Sequence, residues 1–345
     1  MADFNLLNIK PHQVSRDMRG YSVFFYGEPK SGKTTTATKF PHHLLLAFEK
    51  GYNAIPGAMA QPINSWSEFR KVLRQLKDEA VQQMYETIII DTADIAYDYC
   101  EKYICSMHNV DTIGDIGYGK GYTLVGKEFD EALRSIVQMN YGLVLISHAT
   151  DKTFTDETGK EFNQIVPTLG TRPRNIVSRM CDIIGYSRAV QDAEGNTSTK
   201  LFMRGTSRYV AGSRFKYTPD YIDFSYGELC KAIGDAIDKQ AAEDGSEYFT
   251  ETRNNLYVDT TAALDFDELM KEFSSIIANI PGSSDIKGDT EDGIKFKEYW
   301  QPRITQIIEK YLGKGKRVKD CTRDQVEALD LIVTELKDTV KFKEV

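Results

Sequence analysis

The segment that most constrains this chain is "FFYGEPKSGKTTTATKF" at residues 24–40. An apolar run stops at Gly27, four residues follow, and Gly32, Lys33 and Thr34 close the pattern G-x-x-x-x-G-K-[ST]. Glycine at both ends lets backbone N–H groups turn inward around an anion without Cβ interference. A helix opening at Gly32 points its amino end at the same anion. In such a loop the lysine reaches the outer phosphates of a nucleotide and the Thr34 hydroxyl ligates Mg²⁺. The whole stretch, Gly27, Glu28, Pro29, Lys30, Ser31, Gly32, Lys33, Thr34 and Thr35, is the candidate nucleotide-binding segment, with ATP and Mg²⁺ as expected ligands.

The surrounding pattern suits a parallel sheet. "YSVFFY" (21–26), "HLLLAF" (43–48), "ETIIID" (86–91) and "YGLVLISH" (141–148) are unbroken apolar runs. Helical patterns from Gly32 and over 65–84, 94–108 and 122–139 separate them, as in a sheet covered on both faces. Residues 181–205 then read as two strands joined at Glu194-Gly195-Asn196, 208–215 as another short strand, and 225–244 as a closing helix. The expected organisation is an α/β core over 1–240, a linker over 241–262 and a helical region over 263–345. In the last region Thr322 stands three residues before Gln325, a capping-box spacing.

Phosphoryl transfer needs a metal-holding carboxylate, a group that positions water, and positive charge at the transition state. Asp91 ends its strand at the carboxyl edge of the sheet, where ligands collect. It is the expected metal holder, with helix capping as its bland alternative. Glu49 ends the second strand and is the candidate water-positioning group, the alternative being a solvated strand-end glutamate. His148, after Ser147, ends the fourth strand and is the candidate sensor of the γ-phosphate, or else a buried, satisfied histidine.

This order of strand ends resembles that of the RecA-like ATPases, and most closely the compact phage-encoded ATP-binding proteins with a RecA-like core, some of which act in single-strand annealing and recombination. The resemblance covers about residues 5–240 and implies a RecA-like P-loop core with a mainly parallel sheet and a late β-hairpin. It implies hydrolysis of ATP to ADP and phosphate, with Lys33 and Glu49 acting on the nucleotide. It implies self-assembly as a homo-oligomer or filament, with Arg214, then Arg208, reaching a neighbour's nucleotide. It places single-stranded DNA against two segments, 112–129 with Tyr118, Lys120 and Tyr122, and 149–175 with Arg172 and Arg174 followed by Arg179, and it allows a single-strand-binding protein as a further partner. Three departures stand out: Ser-His where the bacterial recombinases have Gln, Arg where they use Lys, and bulky Lys30 in the loop. Phe4 and Leu6 are the candidates for subunit docking. Rival readings are a helicase or helicase loader, a KaiC-like switch ATPase that ignores DNA, and a small-molecule P-loop kinase.

Composition adds boundaries. The formal net charge of −8 gives no general attraction to nucleic acid, so any DNA contact must come from local clusters. One such cluster is Lys314, Lys316, Arg317 and Lys319, read as a contact for DNA or a partner protein, or as a solvated connection. Five scattered cysteines without a CxxC fit reduced thiols rather than zinc. With no apolar span for a bilayer and no signal peptide at the start, the expected location is the cytoplasm, that of the host if phage-encoded, away from membranes.

Overall fold

The computed structural model describes residues 11–252, 264–285 and 287–341, and these fall into two compact units, one within 11–252 and one within 264–341. Phe4 and Leu6 lie outside the described residues.

In the first unit the chain runs β1 (Val14–Ser15), β2 (Ser22–Gly27), α1 (Lys33–Ala37), β3 (His43–Ala47), β4 (Ala60–Pro62), α2 (Trp66–Gln75), α3 (Glu79–Met84), β5 (Thr87–Asp91) and α4 (Ala93–His108). It continues through α5 (Lys120–Gln138), β6 (Gly142–Thr155), β7 (Glu161–Pro167), α6 (Thr171–Met180), β8 (Ile183–Gln191), β9 (Thr197–Phe202), β10 (Gly212–Ser213), β11 (Tyr221–Asp223), α7 (Tyr226–Asp244) and β12 (Phe249–Thr250). The main sheet has the order β11-β9-β8-β2-β6-β5-β3-β4. From β8 to β4 all pairings are parallel, and β9 and β11 add an antiparallel edge. This is the expected mainly parallel sheet with a late β-hairpin.

Strand periodicity explains the two layers. Phe24, Tyr26, Leu46, Ile88, Ile90, Leu143 and Leu145 face one side, and with Phe69, Cys100 and Phe129 from α2, α4 and α5 they form one core. Their neighbours Val23, Phe25, Leu45, Ile89, Val144 and Ile146 point the other way, onto Ala37 of α1 and Leu229, Ile233 and Ile237 of α7. Strands buried on both faces must be apolar at consecutive positions, which is why these runs show no alternation.

Four local expectations are corrected. The helix over 65–84 is two helices, because Asp78 caps α3 through its side chain and ends the run. Segment 112–129 is mostly helix: α5 begins at Lys120, leaving a glycine-containing turn before it. Segment 149–175 is a β-hairpin followed by a helix, since β6 continues to Thr155 and pairs antiparallel with β7 over Ala149–Thr155. The strand over 208–215 shrinks to β10. The expected linker begins inside α7, and β12 pairs with β1; residues 253–263 lie outside the described residues.

The second unit contains α8 (Phe266–Asn279), α9 (Glu291–Lys295), a π-helical segment Phe296–Trp300, α10 (Gln301–Leu312) and α11 (Val326–Lys341). Leu269, Leu329 and Val333 form one buried group, and Ile307, Ile308, Ile332 and Leu336 another. The expected capping box between Thr322 and Gln325 is present, with the Gln325 side chain accepting from the Thr322 N–H at 3.1 Å.

Candidate active site

The loop between β2 and α1 stands at the carboxyl edge of the sheet, and its backbone explains its glycines. Gly32 has φ of 82°, which favours glycine, and Lys30 also takes a positive φ of 64°. At Gly27 the constraint is space. A Cβ there would lie 2.2 Å from Ser187 Oγ and 2.3 Å from the Ser187 carbonyl oxygen, so only glycine lets β8 lie against the loop. Ser31 Oγ in turn is 2.7 Å from Ser187 Oγ, fixing the loop to β8.

Lys33 is folded into the loop, its Nζ donating to the carbonyls of Gly27 at 3.0 Å and Glu28 at 2.7 Å. Burial lowers its pKa, with Asp91 and Glu49 opposing the shift. Its third acceptor is Ser31 Oγ at 3.4 Å, and a desolvated ammonium bound only to uncharged oxygens gains strongly from an incoming phosphate oxygen. Because α1 spans only five residues, anion capture rests on the loop amides and Lys33 more than on a helix dipole. Glu28, Pro29, Lys30 and Thr35 are exposed around this core.

Thr34 and Asp91 come together as the metal reading requires: Thr34 Oγ1 donates to Asp91 Oδ2 at 2.7 Å. Asp91 is 2% exposed, and burial pushes its carboxyl up to about 6. Asp91 Oδ1 is buried without a hydrogen-bond partner among the described residues. Thr92, not Asp91, occupies the cap position of α4, which removes the capping alternative for Asp91. Gly51 approaches the same point: a Cβ there would lie 3.5 Å from Asp91 Oδ2, 3.6 Å from Glu49 Oε1 and 3.7 Å from Thr34 Oγ1. A hydroxyl, one buried carboxylate with a spare oxygen and a nearby second carboxylate fit Mg²⁺, which takes few protein ligands and completes its shell with water and phosphate. Thr34 and Asp91 would hold it.

Glu49 and His148 face each other, Oε2 to Nε2 at 3.6 Å. The histidine holds Glu49 below the ordinary carboxylate range, and Glu49 raises His148. A lowered carboxylate stays ionised and can accept a proton or orient water. His148 is one-third exposed, and its Nδ1 has no partner among the described residues, so it is not a satisfied core histidine.

Asp94 and Thr168 are further residues of the site that the sequence alone does not single out. Asp94 Oδ1 accepts from Thr168 Oγ1 at 2.6 Å and from Ser147 Oγ at 3.1 Å, while its Oδ2 is buried without a partner among the described residues. Thr168 N also donates to the His148 carbonyl at 2.9 Å. The base of the β6–β7 hairpin is therefore bonded to the same cluster. The signal was the second Asp of "DTAD", one helical turn beyond the strand end, which reads equally well as a cap.

The two arginines part company. Arg208 lies in the segment that crosses the carboxyl edge: its carbonyl accepts from Ile165 N, and Val210 N donates to the Tyr26 hydroxyl. Arg214 sits at the amino edge, 3.1 Å from Asp182 Oδ1, and Asp182 Oδ2 accepts from Ser22 N at the start of β2. Within one subunit the structure brings Arg214 no nearer the loop than the opposite end of the sheet. The arginines expected to cluster at the end of segment 149–175 are spread along α6, with Arg172 packed on Gly126 of α5, Arg179 Nε donating to the Asn175 carbonyl and the Arg179 carbonyl accepting from Arg214.

A phosphate loop at the carboxyl edge of a mainly parallel sheet, with a threonine and a strand-end aspartate bonded beside it, defines a P-loop ATPase domain. A family model described as an AAA domain matches residues 19–215, more than half of the chain, and the chain belongs to that family. It is 30% identical over 347 residues to the SPbeta prophage-derived uncharacterized protein YorG of Bacillus subtilis (strain 168), covering 97% of this chain and 98% of that protein. The crystal structure of the flagellar accessory protein FlaH from Methanocaldococcus jannaschii is 10% identical, covers 60% of this chain and 85% of that one, and has a TM-score of 0.33, which adds no weight. Among the described residues no helix is long and apolar enough to cross a membrane.

Proposed function

We propose that this protein hydrolyses ATP to ADP and phosphate in a Mg²⁺-dependent reaction, and that it uses the cycle on single-stranded DNA in phage recombination or annealing. The observation that carries the ATPase reading is the convergence of Lys33, Thr34, Asp91 and Glu49 at one strand edge. Lys33 exchanges loop carbonyls for phosphate oxygens. Glu49 orients the attacking water and accepts its proton. His148, freed from Glu49, hydrogen-bonds the γ-phosphate. Thr34 and Asp91 would hold Mg²⁺, which would supply positive charge against the phosphate oxygens. Arg208 of a neighbouring subunit is favoured as the source of positive charge in trans, because it lies at the nucleotide edge.

The DNA reading rests on surface chemistry. Tyr118 is fully exposed at the turn before α5, beside Lys120 and the exposed Tyr122, a combination suited to a phosphate backbone and a stacked base. The hairpin stands at the same edge, tied to the site through Thr168 and Asp94. The prophage-derived relative supports a phage setting. The test is the ATPase rate with and without single-stranded DNA, alongside particle size. A rise of about fivefold or more, typical of coupled sites, accompanied by larger particles, supports the reading. Hydrolysis that ignores DNA favours a switch acting through protein contacts, and unwinding of a forked duplex favours a helicase.

A further inference from the structure

We propose that the helical unit is a docking module for an acidic peptide segment with apolar anchors, presented by a partner protein. Between α8 and α10 lies a cavity of about 560 Å³, within the range of ligand pockets. Its floor is apolar: Phe273, Ile277, Phe296, Ile304, Ile308 and Val318. Such a volume takes two or three apolar side chains of an incoming segment.

The rim is mainly basic. Lys297, Arg317 and Lys319 line the opening and are exposed, and exposed Lys314 and Lys316 adjoin them in sequence. Among the described residues Lys314, Lys316, Arg317 and Lys319 form no ion pair, whereas Lys310, Arg323 and Lys337 of the same unit each have one. Among the described residues Asp285 is the acid that lines the cavity, against three cations, and its oxygens are turned to the chain: Oδ1 accepts from Gly288 N, and Oδ2 from Thr290 N and Oγ1. In a chain of net charge −8 this rim is a local exception, and it attracts carboxylates.

The helix geometry points the same way. Phe296 and Lys297 open the π-helical segment Phe296–Trp300, a form that recurs at functional sites. It supplies one anchor wall and one cation to the groove, and Lys297 Nζ is held there by the Lys287 carbonyl at 2.5 Å. The floor separates a peptide from nucleic acid. Single strands are held by stacking on exposed aromatic faces, whereas Phe273 and Phe296 are half-buried here among the aliphatic Ile277, Ile304, Ile308 and Val318. An apolar groove with a charged rim is the usual seat for a short amphipathic segment.

The test uses the full-length protein and three fluorescein-labelled peptides of equal length: acidic with Leu and Phe anchors, acidic with the anchors replaced by Ser, and anchored with the acids replaced by Ser. Fluorescence anisotropy should show micromolar binding of the first and at least about tenfold weaker binding of the other two, a difference of about 1.4 kcal/mol. Ile304→Glu should lower the first affinity at least about tenfold, as loss of a central anchor contact does. The exposed double change Arg317→Glu with Lys319→Glu should do the same without altering the melting temperature, and should flatten the salt dependence between about 0.05 and about 0.5 M. Equal binding of all three peptides, no binding of the first, or indifference to the double change overturns the proposal. So does tighter binding of a labelled oligothymidylate that displaces the peptide, which would make this face a nucleic-acid surface.

Discussion

The Thr34 hydroxyl donates to Asp91 Oδ2 across 2.7 Å, joining the first turn after the loop to the end of β5. Asp91→Asn keeps an acceptor for Thr34 and removes only the charge. The fold should persist, with a melting temperature close to that of the wild type. Mg²⁺-dependent phosphate release should fall by at least about 100-fold, the scale of several kcal/mol that metal-held charge contributes. Turnover unchanged across a Mg²⁺ titration would remove Asp91 from the metal site.

Glu49 faces His148 and is held ionised by it. Glu49→Gln preserves shape and hydrogen bonding but cannot take a proton. ATP binding should be retained, while single-turnover hydrolysis slows by about 10²-fold, the lower end for a lost general base. Wild-type turnover in this variant would leave the role to another group, and Asp94, with its unpartnered Oδ2, is the next to test.

Gly27 has no room for a methyl group against Ser187. Gly27→Ala should destabilise the first unit by about 1–3 kcal/mol, the usual cost of overpacking, and should weaken nucleotide binding because the loop must move off β8. Chemical denaturation measures the first effect and ATP titration the second. A variant as stable as the wild type would show that β8 can yield at Ser187.

Arg208 and Arg214 lie at opposite edges of the sheet. If the finger acts in trans from Arg208, Arg208→Ala should lower the rate of the assembled protein by about 10³-fold. Mixing it with Lys33→Ala subunits, which keep the arginine but lack a working loop, should restore activity. Arg214→Ala should instead lower the melting temperature, because it leaves the largely buried Asp182 without its cation. Rescue seen for Arg214→Ala and not for Arg208→Ala would reverse this assignment.

Much of the site could be read from residue types because they encode backbone chemistry. Gly32, Lys33 and Thr34 follow from the loop pattern, Gly27 is held to glycine by the room it leaves Ser187, and Asp91 and Glu49 stand at the ends of apolar strands. The β6–β7 hairpin was legible in principle: Thr153, Phe154 and Thr155 alternate before "DETGK", a turn-forming stretch. Charge in this segment masked the pattern, since a two-stranded ribbon clear of the core needs no apolar face. The roles of Thr168, Ser187 and Gly51 depend on contacts between segments far apart in sequence, and no local pattern carries them. The position of Arg214 depends on the return path of the chain after β9, which composition does not specify.

Calorimetric titration of ATP with Mg²⁺ into the wild type and into Lys33→Ala is the most direct test of the phosphate-holding loop. Capture by inward amides and the Lys33 ammonium requires micromolar affinity in the wild type and its loss in the variant, with the fold intact by melting. Micromolar affinity retained without the ammonium would contradict it.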